Sequence, residues 1–147
     1  MKNSYLIIGV MSGSSLDGLD IAACRFDKKD NGWDFDIVAT DFLPYEESQR
    51  NKLSNLNKVS GLELIKAHAD YGVWTGDCVK EFIEKNDVEP DLIASHGHTI
   101  FHEPDDAFSF QLGSPAHIAG QCGINCAGDF RNTDMANGGQ GAPLAPV

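Results

Sequence analysis

The sequence predicts a mixed α/β fold, in which an N-terminal antiparallel meander is followed by parallel strands with crossover helices. Near the N-terminus, three apolar or alternating segments are separated by short polar turns, which is typical of antiparallel strands. Further along, short apolar strands alternate with segments of helical periodicity, which is typical of parallel strands. At 147 residues the chain fits one domain.

The meander consists of predicted strands at residues 5–11, 19–26 and 33–43. The polar link between the second and third strands ends in Asn31-Gly32, which is a turn signal, and Pro44 ends the third strand. Alternation in the third strand predicts one apolar face, with aspartates and a threonine on the other. That apolar face consists of Trp33, Phe35, Ile37 and Ala39.

Two helices are predicted after the meander. Residues 46–57 are polar, with a thin apolar edge at Leu53 and Leu56. Ser60 and Glu63 form a capping box that opens a longer helix, which extends to about residue 85. Its small central residues would allow another element to approach closely. The predicted core stripe of this helix is Ile65, Ala69, Gly72, Gly76, Val79 and Ile83.

The second half of the chain predicts a parallel strand at 92–95, an acidic turn at 103–106 and a short strand at 108–112. Ser114 is a good helix N-cap with Pro115 at the first helical position, so a helix is expected to residue 121. Another strand is predicted at 124–127. The histidines on the two predicted helices, His68 and His117, are expected to be structural or solvated.

Charge and composition exclude several functions. The chain has 22 acidic and 11 basic residues, a formal net charge of −11, so nucleic acid and anionic membrane surfaces are not expected partners. No signal peptide and no run of about 20 apolar residues is found, which predicts a cytoplasmic protein. The four cysteines match no zinc spacing, so reduced thiols are expected; a Cys122–Cys126 disulfide or metal pair is the weaker alternative.

Three polar clusters follow predicted strands, at residues 12–17, 95–98 and 129–134. Ligands of open α/β sheets gather at the carboxyl ends of the strands. We therefore expect the three clusters to meet at one edge of the sheet.

The first cluster is suited to a phosphate. Two glycines, Gly13 and Gly18, flank hydroxyls in a turn between two strands, so that backbone N–H groups can converge on an anion. The hydroxyls of Ser12, Ser14 and Ser15 add donors. Asp17 is placed to hold a water of a bound Mg²⁺. The loop has no lysine, so it is not a Walker A motif, and an ordinary hairpin turn is the alternative.

Five motifs in order resemble the anhydro-N-acetylmuramic acid kinase family, whose members recycle bacterial cell wall. The likeness extends from about residue 6 to the last residue, with Ser14 where the family usually has Thr and His98 where it often has Gln. The motifs are Met11-Ser-Gly-Ser-Ser-Leu-Asp-Gly-Leu-Asp20, Ser95-His-Gly-His-Thr99, Phe110-Gln-Leu-Gly-Ser-Pro115, Asp129-Phe-Arg-Asn-Thr-Asp134 and Gly138-Gly-Gln-Gly-Ala-Pro-Leu144.

This resemblance implies an actin-like, ribonuclease H-like ATPase fold and a sugar kinase that uses ATP and Mg²⁺. Water would open the anhydro bridge of 1,6-anhydro-N-acetylmuramic acid, and the C6 oxygen would take the γ-phosphoryl group. The product would be N-acetylmuramic acid 6-phosphate.

The resemblance also assigns the site residues. The phosphate loop would consist of Gly13, Ser14, Ser15, Leu16, Asp17, Gly18, Leu19 and Asp20. Candidate sugar contacts are His96, Gly97, His98, Arg131, Asp134 and Gln140. Arg131 would bind the lactyl carboxylate through its guanidinium fork, with a surface salt bridge to Asp129 or Asp134 as the alternative.

The family's catalytic aspartate lies in an Asp-x-Gly-Pro-x-Asn motif, which this sequence does not contain. The expectation is therefore an N-terminal lobe (1–147) that is inactive without its C-terminal lobe, with no catalytic residue of its own. Self-association through the apolar surface of the lone lobe, to a homodimer for example, is a further expectation. Two other functions remain open: a non-catalytic actin-like binding or scaffolding domain, and a metal-dependent hydrolase that uses His96, His98 and the exposed His102. On a strand His96 and His98 would point the same way, and imidazole suits Zn²⁺.

Overall fold

The computed structural model describes residues 2–142, which form a mixed sheet of six strands with four α-helices. The strands are β1 (Ser4–Ser12), β2 (Gly18–Lys29), β3 (Gly32–Pro44), β4 (Leu92–Glu103), β5 (Phe108–Leu112) and β6 (Cys126–Ala127). The helices are α1 (Glu47–Asn55), α2 (Gly61–Asn86), α3 (Pro115–Cys122) and α4 (Phe130–Ala136), with 3₁₀ turns at Leu56–Lys58 and Pro104–Asp106.

The strand order is β3-β2-β1-β4-β5, and β6 pairs with the first half of β4. The first three strands form the antiparallel meander, whereas β1 and β6 both run parallel to β4. This arrangement confirms the predicted mixed sheet and is that of the lobe of actin-like, ribonuclease H-like ATPases.

Three elements differ clearly from the prediction. The strand expected at 124–127 is reduced to the two residues of β6. The strand expected at 92–95 continues to Glu103, because its second half finds a new antiparallel partner in β5. Residues 130–136, for which no helix was expected, form α4. The predicted cap of α2 is present, since the Ser60 side chain accepts from the Glu63 amide and the Glu63 carboxylate accepts from the Ser60 amide.

The main core lies between the sheet and helices α2 and α3. It joins sheet residues such as Ile8 and Ile93 to Val79 of α2 and Ile118 of α3. The predicted stripe of α2 is only partly right, because Ile65 is exposed while Tyr71, Thr75, Cys78 and Phe82 are buried. Among the described residues, no helix has the length and apolarity needed to cross a membrane.

Close packing explains the two central glycines of α2, Gly72 and Gly76. A Cβ on Gly72 would lie 2.8 Å from the carbonyl oxygen of Ser114, and one on Gly76 would lie 2.6 Å from Cβ of Gln121. The small residues in the middle of α2 therefore admit α3, as the sequence predicted.

The apolar face predicted for β3 is interrupted by a bulge. Ile37 pairs with Cys24 and Ala39 pairs with Ala23, so Val38 is an extra residue and Ala39 lies on the opposite face from Ile37. Ala39 packs against the core, whereas Trp33, Phe35 and Ile37 are exposed. Period-two alternation cannot reveal such a bulge, because it counts residues and not hydrogen-bonded pairs.

Candidate functional site

The polar clusters meet at one edge of the sheet, as the sequence predicted. Strands β1, β4 and β6 run in the same direction, so their carboxyl ends face the same side. A cleft of about 370 Å³ opens there. Its lining residues are Met11, Ser12, Gly13, Ser14, Ser15, His96, Thr99, His102, Arg131 and Ala142.

The turn between β1 and β2 is held by its backbone. The Leu16 amide donates to the Gly13 carbonyl at 3.3 Å, and the Tyr45 amide donates to the Asp17 carbonyl at 3.0 Å. A Cβ on Gly18 would lie 2.4 Å from the Leu43 carbonyl oxygen, so only glycine fits there. These contacts leave Ser14 and Ser15 exposed at the cleft.

Asp17 closes the turn from its exposed side. Its Oδ1 accepts from the Ser15 hydroxyl at 2.7 Å and from the Gly18 amide at 3.0 Å. The hydrogen bond from Ser15, supported by backbone amides, lowers the pKa of the Asp17 carboxyl. Asp17 is therefore an exposed carboxylate at neutral pH, next to the cleft and not in its lining.

The other residues of the predicted phosphate loop have different surroundings. Leu16 packs against a second apolar cluster around Tyr45, and Leu19 is in the main core. Asp20 is exposed on β2, where it pairs with Met11 and Phe42. The structure thus places Gly13, Ser14 and Ser15 at the cleft, and leaves Leu16 and Leu19 no side-chain role there.

Ser12 is the buried base of the loop. The Tyr45 hydroxyl donates to Ser12 Oγ at 2.7 Å, and Ser12 Oγ lies 2.9 Å from His98 Nδ1. The Tyr71 hydroxyl in turn bonds that of Tyr45. We call Tyr71, Tyr45, Ser12 and His98 the buried hydroxyl chain.

Burial sets the charge state of this chain. All four side chains are at most 9% exposed. Burial, followed by the charge of His96, lowers the pKa of His98, and burial raises the pKa of Tyr45 and of Tyr71. The chain is therefore neutral near pH 7, which suits a rigid support beneath the loop.

His96 and Arg131 form a pair across the cleft. Arg131 Nε donates to His96 Nε2 at 3.0 Å, and His96 Nδ1 lies 2.9 Å from the Gly97 carbonyl oxygen. Burial lowers the pKa of His96, and the Arg131 charge lowers it further. Among residues 2–142, no ion pair joins Arg131 to Asp129 or Asp134, so the salt-bridge alternative is wrong.

Gly97 separates the two histidines that flank it. It has a left-handed φ of +73°, and a Cβ there would lie 2.5 Å from the Leu112 carbonyl oxygen. The sequence predicted that His96 and His98 point the same way on a regular strand. That expectation is wrong, because the strand is irregular here: His98 bonds Ser12 in the interior, and His96 bonds Arg131 at the cleft.

Asp134, on α4, contacts the glycine-rich loop that follows this helix and contains Gln140. Asp134 Oδ2 accepts from the Gly141 amide at 2.8 Å, and Arg131 Nη1 donates to the Gly141 carbonyl at 2.6 Å. Gln140 is exposed and outside the cleft lining. In this structure Asp134 secures the loop. Of the motif predicted at 138–144, the last two residues lie outside the described part of the chain.

A zinc-type centre is not assembled in the described structure. Within residues 2–142, no three His, Cys, Asp or Glu side chains gather closely enough to hold a metal ion. His102, which was expected to be exposed, is partly buried and lies 3.3 Å from Ser109 Oγ. All four cysteines are free thiols, and burial raises the pKa of Cys126 to about 11.

Four residues were not predicted from the sequence to take part in the site: Tyr45, Tyr71, Thr99 and Gln111. Gln111 carried a usable signal, because it is a polar residue inside an otherwise apolar strand. No sequence pattern indicated a role for the two tyrosines, since tyrosine is common in helices and at strand ends without any polar role.

Comparison with known proteins agrees with this geometry. The family described as anhydro-N-acetylmuramic acid kinase matches residues 5–147. Relatives bearing that name are 40% identical in Haemophilus influenzae, 39% in Pseudomonas putida and 41% in Hydrogenovibrio crunogenus. These alignments cover 100%, 97% and 98% of this chain, and 39%, 39% and 40% of the relatives. The chain thus spans about two fifths of their length, and it belongs to the anhydro-N-acetylmuramic acid kinase family.

Proposed function

We propose that this chain forms the N-terminal lobe of a cytoplasmic kinase that transfers the γ-phosphoryl group of ATP to 1,6-anhydro-N-acetylmuramic acid. The observation that carries the proposal is the shared cleft, where the exposed turn of Gly13, Ser14 and Ser15 faces His96 and Arg131. A phosphate-binding turn and a cation at one cleft suit a reaction between a nucleotide and an anionic sugar.

In the proposed reaction, a water oxygen bonds to the anomeric carbon while the bond from that carbon to the bridging oxygen breaks. The released C6 oxygen bonds to the γ-phosphorus, and the bond from that phosphorus to the ADP oxygen breaks. The water loses its proton to a base that we place in the part of the enzyme beyond these residues. The products are N-acetylmuramic acid 6-phosphate and ADP.

The residues of this chain bind and orient. The amides of Gly13, Ser14 and Ser15 and the hydroxyl of Ser14 would donate to phosphate oxygens, which matters in a chain of net charge −11. The Ser15 hydroxyl donates to Asp17 instead. The Arg131 guanidinium, tethered through Nε and Nη1, would present its remaining N–H groups to the lactyl carboxylate.

Asp17 fits a Mg²⁺ site. Its carboxylate is ionised, exposed and fixed in direction by Ser15 and Gly18, so it can hold a metal-bound water beside the cleft. Mg²⁺, when bound, neutralises charge on the phosphates.

The test is a chimaera in which this chain replaces the matching part of the Haemophilus influenzae relative. Coupled ADP release should show turnover of the anhydro sugar by the chimaera and none by this chain alone. Ser14→Ala should slow the chimaera, whereas Ser54→Ala, on exposed α1, should not.

A folded chimaera without turnover would contradict the kinase proposal and favour a non-catalytic binding or scaffolding domain. Turnover by the 147-residue chain alone would contradict the assignment of catalysis to a second lobe.

A further inference from the structure

A second cavity lies away from the cleft, between α1, α2 and β5. Its volume is about 120 Å³, and no residue lines both this cavity and the cleft. The apolar part of its lining includes Leu53 of α1, Trp74 of α2 and Leu112 of β5. We call this space the Trp74 cavity.

The lining of the Trp74 cavity is rich in aromatic rings. The ring centroid of Trp74 lies 5.7 Å from that of Tyr45 and 5.3 Å from that of Tyr71, and all three rings line the cavity. The tyrosine hydroxyls already bond each other and Ser12. Because aromatic rings attract one another in tilted or offset arrangements, this lining favours an aromatic ring over a branched aliphatic group.

The volume of the cavity limits its occupant to one small ring. An apolar cavity of about 150 Å³ in a protein interior binds benzene. The Trp74 cavity is of that order and somewhat smaller. It should therefore accept a benzyl group and exclude the larger indole group.

Two opposite charges lie at the mouth of the cavity without neutralising each other. Lys52 of α1 and Asp70 of α2 both line the cavity and are both exposed. Among residues 2–142, no ion pair includes either of them. A ligand with a single charge would be attracted by one of these side chains and repelled by the other, whereas a zwitterion can pair with both.

We infer that the Trp74 cavity binds a free α-amino acid whose side chain carries one six-membered aromatic ring, as in phenylalanine. The ring occupies the apolar interior, the carboxylate faces Lys52 and the ammonium faces Asp70. Because Tyr45 and Tyr71 belong also to the buried hydroxyl chain, a bound ring would contact the support of the β1–β2 turn. The inference does not depend on the kinase proposal, since the cavity and the cleft have separate linings.

The experiment is an NMR titration of the full chain, labelled with ¹⁵N, with L-phenylalanine and without nucleotide or sugar. The chain has two tryptophans, and a Trp33→Phe variant assigns their two indole N–H signals. L-Phenylalanine should shift the Trp74 signal saturably. The signal of Trp33, which is exposed on β3, should not move. L-Tryptophan, which is too large, and L-leucine, which has no ring, should bind more weakly than L-phenylalanine.

Ligands that lack one charge test the mouth of the cavity. Phenethylamine lacks the carboxylate and 3-phenylpropionate lacks the ammonium. Each should bind about two- to fivefold more weakly than phenylalanine, as expected for the loss of one exposed ion pair.

Substitutions assign each charge to its partner. Lys52→Met should abolish the preference for phenylalanine over phenethylamine, and Asp70→Asn should abolish the preference over 3-phenylpropionate. Lys80→Met and Asp30→Asn are the matched controls, because both side chains are exposed and lie outside the cavity lining. Both controls should keep both preferences.

An unmoved Trp74 signal, equal shifts of both tryptophan signals, or equal binding of phenylalanine and the two singly charged compounds would overturn the inference. Each variant is first checked for a native amide spectrum, and if one is unfolded, the comparison of ligands on the unsubstituted chain decides. Because the titration contains neither ATP nor sugar, a chimaera without turnover would contradict the kinase proposal and leave this result standing.

Discussion

The base and the rim of the β1–β2 turn contrast sharply within a few residues. At the base, Ser12 is buried and bonded to Tyr45 and His98. At the rim, Ser14 and Ser15 are exposed at the cleft. The same residue type therefore serves as internal support on one side of the turn and as a candidate ligand on the other. Changes at the base should reduce stability, and changes at the rim should reduce binding.

The largest effect is expected at Gly97, beside the base. Gly97→Ala would force a side chain into a left-handed backbone and within 2.5 Å of a carbonyl oxygen. We expect a loss of about 3 kcal/mol or more in the free energy of unfolding, measured by urea denaturation. Gly120→Ala is the control, because a Cβ there meets nothing within 4 Å. Gly120 lies in α3, where alanine favours the helix, so the control substitution should slightly raise the free energy of unfolding. Equal effects of the two substitutions would contradict this reasoning.

Tyr45→Phe tests the buried hydroxyl chain. It removes the donor to Ser12 and the partner of the Tyr71 hydroxyl, while the ring continues to pack against Trp74. The free energy of unfolding should fall by about 1–2 kcal/mol. Tyr5→Phe, outside the chain of hydroxyls, should change it by less than about 0.5 kcal/mol. A neutral Tyr45→Phe would show that the base does not depend on these hydrogen bonds.

The pH dependence of stability should also follow the buried histidines. Burial lowers the pKa of His68, His96 and His98 below their ordinary 6.5, so the unfolded chain takes up protons first as pH falls. The stabilising contribution of these neutral histidines to the free energy of unfolding should be complete above pH 6.5. Below that pH the free energy of unfolding should fall, by at most about 1.4 kcal/mol per pH unit for each histidine.

The measurement is urea unfolding between pH 8 and pH 5. This range lies above the ordinary pKa values of 3.8 and 4.5 for Asp17 and Glu63, whose lowered pKa values affect stability only at more acidic pH. His98→Gln should reduce the slope. An unchanged slope would mean that His98 is not neutral and buried in solution.

Ser14→Ala should have the smallest effect on stability, because its side chain is exposed at the rim. The free energy of unfolding should change by less than about 0.5 kcal/mol. Calorimetric titration with MgATP should nevertheless show weaker binding, if the rim holds phosphate as we propose. A loss of stability larger than that of Tyr45→Phe would remove the distinction between base and rim.

The sequence predicted much of the fold because its signals are local. The capping box of α2, Pro115 at the start of α3 and the Asn31-Gly32 turn each act within a few residues. The predicted meeting of three polar clusters also holds, since parallel strands bring their carboxyl ends to one edge.

Tertiary contacts decided what each polar residue touches. The bulge at Val38 turns Ala39 toward the core, and the left-handed Gly97 sends His98 to Ser12 while His96 meets Arg131. Asp134, a candidate sugar contact, holds the glycine-rich loop through the Gly141 amide. The order of the elements other than α4 was thus determined by the sequence alone, through short-range propensity and periodicity. The direction of each side chain depended on partners up to 86 residues away, which no local pattern records.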